Sequence, residues 1–129
     1  MAFEGPQLTI PGLKAGADLS ALQFYFVKLN ADLQVIVCAA TTDIPLGVLQ
    51  NAPKLGYAAE VLPVGVTKVS ADAALTAGQL IGTSVDGQAA AYVAGTDTTK
   101  YACGQVLKGA SGAAALATAF VNCASGRMA

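Results

Sequence analysis

Histidine and tryptophan are absent from this chain of 129 residues, and charge is scarce. Only 12% of residues are Asp, Glu, Lys or Arg, about half the share of an ordinary soluble domain. The missing histidine removes the commonest general base near neutral pH and the commonest metal ligand. The seven basic and eight acidic residues give a net charge of −1 and stand almost singly, with no basic run. Nucleic-acid binding needs clustered Lys and Arg to neutralise phosphates, so that function class is excluded. No stretch approaches the 18 or so apolar residues of a membrane span, so none is expected. The start, Met1-Ala2-Phe3-Glu4-Gly5-Pro6, has no basic segment followed by an apolar one, and no signal peptide is expected. Cys38, Cys103 and Cys123 are too few and too widely spaced for a disulfide framework or a zinc site. They read as small buried thiols of a protein made in a reducing cytoplasm.

What is present is small and apolar. Hydrophobic residues make up 54% of the chain, alanine is the most frequent residue, and there are 14 glycines. A surface of Ala, Gly, Thr, Ser and amide groups repels its neighbours weakly and suits close packing in an assembly.

Residues 1–20 read as an extended N-terminal arm, punctuated by Pro6, Pro11, Gly5, Gly12 and Gly16, which disfavour a continuous helix or central strand. Its apolar residues Leu8, Ile10, Leu13 and Leu19, with Pro11, are the candidate docking residues. They would lie either over their own domain or on a neighbour.

Residues 21–129 read as a single all-β domain. Phe24 to Leu29 and Leu33 to Cys38 form a hairpin around Asn30-Ala31-Asp32. Leu46 to Gln50 is a third strand, and Ala58 to Val69 an extended one in which Pro63 and Gly65 predict a bulge or an edge. Ser70 to Gly78 could hold one helical turn, with Ser70 as its N-cap. Gln79 to Ser84 and Gln88 to Val93 form a hairpin around Asp86-Gly87. Tyr101 to Leu107 is a further strand, followed by the glycine-rich turn Lys108 to Gly112. Ala115 to Cys123 is the last strand, and residues 125–129 are a tail. Alanine favours helix over residues 113–119, but Gly112 before it and Phe120-Val121 after it favour a strand. The two halves, about 24–69 and 79–123, share an order of hairpin, glycine-marked strand, turn and final strand. Asp32-Gln34 stands against Asp86-Gln88, and Leu46-Gly47 against Cys103-Gly104. Such halves would close into a small β-barrel or pack as a β-sandwich.

No catalytic residue, cofactor site or metal ligand is assigned, and the chain is not expected to be an enzyme. There is no phosphate-binding Gly-Lys-Ser or Gly-Lys-Thr. Gly109-Ala110-Ser111-Gly112 has the wrong glycine spacing for a nucleophile elbow and no histidine to serve it. Asp97-Thr98-Thr99 lacks the following glycine and the second loop that aspartic-protease chemistry requires. Glu60 and Asp72 are isolated rather than a glycosidase pair. Phe24, Tyr25 and Phe26 could form a stacking platform, but strand alternation puts Tyr25 opposite the two Phe, which suits core packing better. A lipoyl-type carrier would need a lysine at a hairpin tip, which Lys28, Lys68 and Lys100 do not supply.

The succession Pro45-Leu46-Gly47-Val48-Leu49-Gln50, Gly56-Tyr57, Val64-Gly65-Val66, Ala77-Gly78-Gln79-Leu80, Asp86-Gly87 and Gly104-Gln105-Val106-Leu107 resembles the small capsid decoration (cement) proteins of tailed bacteriophages. The similarity runs over residues 24–123 and lies in pattern rather than in a chemical signature. It implies a non-enzymatic virion protein, made in the host cytoplasm, that binds the capsid exterior and cements neighbouring capsomers. Its partners would be the major capsid protein and other copies of itself, as a homotrimer. The arm would dock on the capsid protein or an adjacent subunit. The alternative is a β-barrel adhesion or carbohydrate-binding module of a virion or head fibre.

Overall fold

A computed structural model describes residues 2, 4–5, 7–93, 95–97, 99–123 and 127–128, with the side chains of 7–9, 11, 127 and 128 left aside. Strands β1 (Gln7–Ala15), β2 (Phe26–Leu29), β3 (Gln34–Val37), β4 (Gly47–Leu49) and β5 (Ala58–Ser70) lie in the order β1-β3-β2-β4-β5. β1 also pairs with β5, so these five strands close into a barrel. Closure gives each of these five strands a partner on both sides, β1 meeting β3 through Lys14 and Ala15. β1 runs parallel to β3, with Lys14 opposite Gln34, and every other contact in the barrel wall is antiparallel.

At 13 residues β5 is longer than its barrel partners. Its first half faces β1 and β4, and from Val64 onward it pairs with β10 (Leu116–Asn122). The sheet continues through β9 (Gly104–Lys108), β6 (Leu80–Thr83) and β7 (Ala89–Tyr92). Between Leu8↔Val64 and Ile10↔Val61 the register of β5 slips, which is the bulge that Pro63 announces.

The strands shared by barrel and sheet are buried on both faces. Val27, Leu49 and Val61 point into the barrel with Ala15, Leu19, Val35 and Ala59. Their neighbours Phe26, Val48 and Leu62 point the other way, into a second core with Val69, Ile81, Val106, Ala117, Ala119 and Val121. Double burial explains why Phe26-Val27, Val48-Leu49 and Val61-Leu62 are unbroken apolar pairs rather than alternations.

The same neighbour order recurs in each half: β3-β2-β4-β5 in the first, β7-β6-β9-β10 in the second, joined by the antiparallel β5–β10 seam. Gly47 faces Val27 in β2, and Gly104 faces Ile81 in β6. A Cβ added at Gly47 would fall 2.4 Å from the Leu62 carbonyl oxygen, and one at Gly104 would fall 2.6 Å from that of Phe120. Both glycines therefore allow the next strand to approach closely. Gly47→Ala and Gly104→Ala are each expected to cost about 1–3 kcal/mol through backbone displacement. Urea melts of the two variants check this, and unchanged midpoints would contradict it.

The halves differ at their ends. β1 closes the first. In the second, β8 (Tyr101–Ala102) pairs with β11 (Arg127–Met128) in a separate two-stranded sheet, so part of the expected tail is a strand. The rest of that tail, residues 125, 126 and 129, lies outside the described residues. β7 is the outer strand of the open side, and its flanking groups are occupied. The Ala89 carbonyl accepts the Asp72 N–H at 2.8 Å, and the Val93 N–H donates to Asp97 Oδ2 at 2.7 Å. Both contacts blunt the edge against pairing with another chain.

Three expectations need correction. Residues 70–78 form no helical turn: Ser70 ends β5, Ala71 donates to the Ala115 carbonyl, and Leu75 exchanges backbone bonds with Ala110. Bonds to neighbouring strands take the groups a helix would have used. β2 begins at Phe26 rather than Phe24, because Phe24 has a positive φ of 69° and its N–H bonds to the Leu49 carbonyl. Residues 7–15 do not stand apart as an arm but form part of the barrel wall.

Candidate interaction surface

The five proposed docking residues separate in the structure. Leu19 is fully buried in the barrel core, and Leu13 packs against the same core. Ile10 is half-buried and faces outward into a groove. Leu8 pairs with Val64 and Pro11 lies within β1, while the side chains of both fall outside the described residues.

That groove, about 480 Å³ in volume, is lined by Ile10, Leu29, Ile44, Pro45, Leu46, Pro63 and Cys123. Five separate stretches supply it: β1 and the bulged β5, the end of β2, the loop before β4 and the residue after β10. Ile44, at 63% exposure, projects furthest. Sequence reasoning passed over this loop as a simple connection. The signal was Ile44-Pro45-Leu46, three apolar residues directly after polar Thr41-Thr42-Asp43.

A salt bridge lies beside the groove. Lys28 Nζ is 2.9 Å from Asp43 Oδ2, and that oxygen also accepts the N–H groups of Ala39 (2.8 Å) and Ala40 (3.1 Å). Burial pushes the Asp43 carboxyl up, but Lys28 and the two N–H groups outweigh it and hold it below its ordinary value of 3.8. Asp97 is held down in the same sense by the Val93 N–H and by Lys100, whose Nζ lies 3.2 Å away. A depressed folded-state value contributes stability that is complete above the ordinary carboxylate range and is lost as pH falls through the folded value. The melting temperature should therefore hold from neutral pH down to about 4 and fall below it. Asp43→Asn should flatten that acid slope, and an unchanged slope in the variant would contradict this assignment.

A second exposed surface is the outer face of the open sheet. Leu80, Gln105, Phe120 and Val66 face one another in a row across β6, β9, β10 and β5. Leu80, Leu107, Leu116 and Phe120 are all partly exposed there. The aromatic cluster offers no comparable platform: Phe26 is buried, Phe24 packs against the second core, and Lys68 lies 5.8 Å above the Phe24 ring. Glu60 is exposed on β5 and Asp72 lies in the turn after it, on different parts of the chain. Asp97 caps the edge strand, and Thr98 lies outside the described residues.

The three cysteines are free and buried. Burial pushes the Cys38 thiol up to about 12, despite a hydrogen bond with Thr83. Cys103 and Cys123 share a thiol–thiol hydrogen bond that lowers Cys103 and, with burial, raises Cys123.

The fold is thus an all-β, five-stranded closed barrel extended on one side by a four-stranded sheet. No protein-family model matches the chain, and no curated protein matches it. Among solved structures it is similar to the N base of the head fibre protein gp8.5 of bacteriophage phi29, with a TM-score of 0.67 and 18% identity. That likeness covers 90% of this chain and 96% of the fibre base.

Proposed function

We propose that the chain is a structural protein of a bacteriophage head, held on the outer capsid surface, where it ties neighbouring capsomers together. One observation carries the proposal: the likeness to a head fibre base spans nearly the whole of both chains, including the strands outside the barrel. The surface agrees with such a role. Cementing needs no reactive group, only apolar area, shape fit and many copies, and modest contacts multiply when several are made at once. Self-association as a homotrimer would supply that multiplicity, with the major capsid protein as the partner. The apolar groove and the outer sheet face are the surfaces available for such contacts.

Sedimentation with heads stripped of their accessory proteins tests the proposal. The purified chain should pellet with the heads and saturate. With so few charges the binding should weaken little between about 0.05 and 0.5 M salt, where the Debye length shortens severalfold. No pelleting at any salt would overturn it. The second reading, a sugar-binding module of a head fibre, draws on the same likeness and on Tyr57, an aromatic 68% exposed at a turn. Binding to a soluble glycan without binding to heads would favour it.

A further inference from the structure

We propose that Cys103 and Cys123 are a latent disulfide pair, which closes into a covalent staple when the folded chain meets a low-molecular-weight disulfide. The backbone brings the two residues together. Gly104 faces Val121 across the β9–β10 pair, and one step on, the Asn122 N–H donates to the Cys103 carbonyl at 2.7 Å. β10 ends at Asn122, so Cys123 sits where the chain leaves the strand. Both side chains belong to the same buried cluster. Cys103 thus faces Asn122, and Cys123 is its diagonal neighbour, which joins the shared cluster where the chain leaves the strand.

Access is provided by the groove. Cys123 is part of its wall, whereas Cys103 is enclosed behind it at 2% exposure. A small disulfide entering the groove therefore meets Cys123 first. Cys123 gives up its proton as it attacks one sulfur of the reagent, slowly because its surroundings disfavour the thiolate, forming a mixed disulfide and releasing one thiol. The neighbouring Cys103 then attacks the Cys123 sulfur, forming the protein disulfide and releasing the second thiol. Two protein thiols are oxidised and one reagent disulfide is reduced to two thiols, with the two protons carried by the leaving thiols. Cys38 takes no part, because it is fully buried and its thiol is engaged with Thr83. The staple would join the start of β9 to the end of β10, tying down the side of the molecule that barrel closure does not protect. On the reading given above, it would form after release from the reducing cytoplasm into an oxidising medium.

The test uses the full chain, folded and reduced, incubated with oxidised glutathione. The expected result is loss of two of the three thiols, a peptide map linking residues 103 and 123, and a melting temperature raised by about 10 °C. Cys38→Ala should give the same link, and Cys103→Ala should stop at a glutathione adduct on Cys123. Three free thiols after prolonged incubation, a lasting adduct on Cys123 in the unmodified sequence, or a link to Cys38 would each overturn the proposal.

Discussion

A chain lacking residues 1–15 is expected to lose cooperative folding altogether. β1 is the strand that closes the barrel, with β5 on one side and β3 on the other. Removing it strips the partner from both and opens the core formed by Val27, Val35, Leu49, Ala59 and Val61 to water, while removing Ala15 and Leu13 from it. Two unpaired edges beside exposed apolar side chains are a template for aggregation. Thermal melts followed by circular dichroism distinguish this from a loose arm, whose deletion would leave the transition intact. A truncated chain that melts at the original temperature would show that β1 contributes nothing to the fold.

Phe26→Ala is expected to destabilise the protein by about 3–5 kcal/mol, the range for truncating a buried phenylalanine. Phe26 is fully buried, faces Val48 across β2–β4, and belongs to the core between barrel and open sheet. Its backbone is engaged as well: its N–H donates to the Gly87 carbonyl at 2.7 Å, and its carbonyl accepts the Cys38 N–H at 3.1 Å. Phe26 thus stands where both hairpins meet. Phe120, also on a strand but 44% exposed on the outer face, is the contrast. Phe120→Ala should cost less than about 1 kcal/mol. Denaturant unfolding of the two variants measures the difference, and equal losses would contradict this division between core and surface.

The sequence disclosed its strands where burial forced a pattern. The β-branched run Val35-Ile36-Val37 and the Asp86-Gly87 turn led directly to β3 and to the β6–β7 hairpin. The alanine-rich residues 113–119 favoured strand because of Gly112 before them and Phe120-Val121 after them, and Leu116–Asn122 is indeed a strand. Ala117 and Ala119 are fully buried beside Val69 and Thr67, their partners in β5. The first twenty residues were harder, because Pro11 and Gly12 read as breaks. In fact β1 slips register between Ile10 and Leu13, and Gly12 takes a positive φ of 83° there. A bulge accommodates both residues within a strand. Ser70 to Gly78 misled in the opposite direction. Ser70 followed by Ala-Asp-Ala-Ala-Leu satisfies local helix rules, but neighbouring strands claim its backbone groups.

The groove was less legible than the fold. Its lining comes from five segments scattered from Ile10 to Cys123, and no local spacing joins them. Only the barrel's closure and the bulge at Pro63 bring them to one place. Shortage of charge was visible at once.

If the chain is the phage-head protein proposed above, the most direct measurement is a reconstruction of heads from the encoding phage, alongside heads from a phage deleted for it. The proposed role predicts protrusions at repeated lattice positions, into which the barrel and its side sheet fit, and which vanish in the deletion. Identical maps from the two phages, with the chain made in the infected cell, would contradict it.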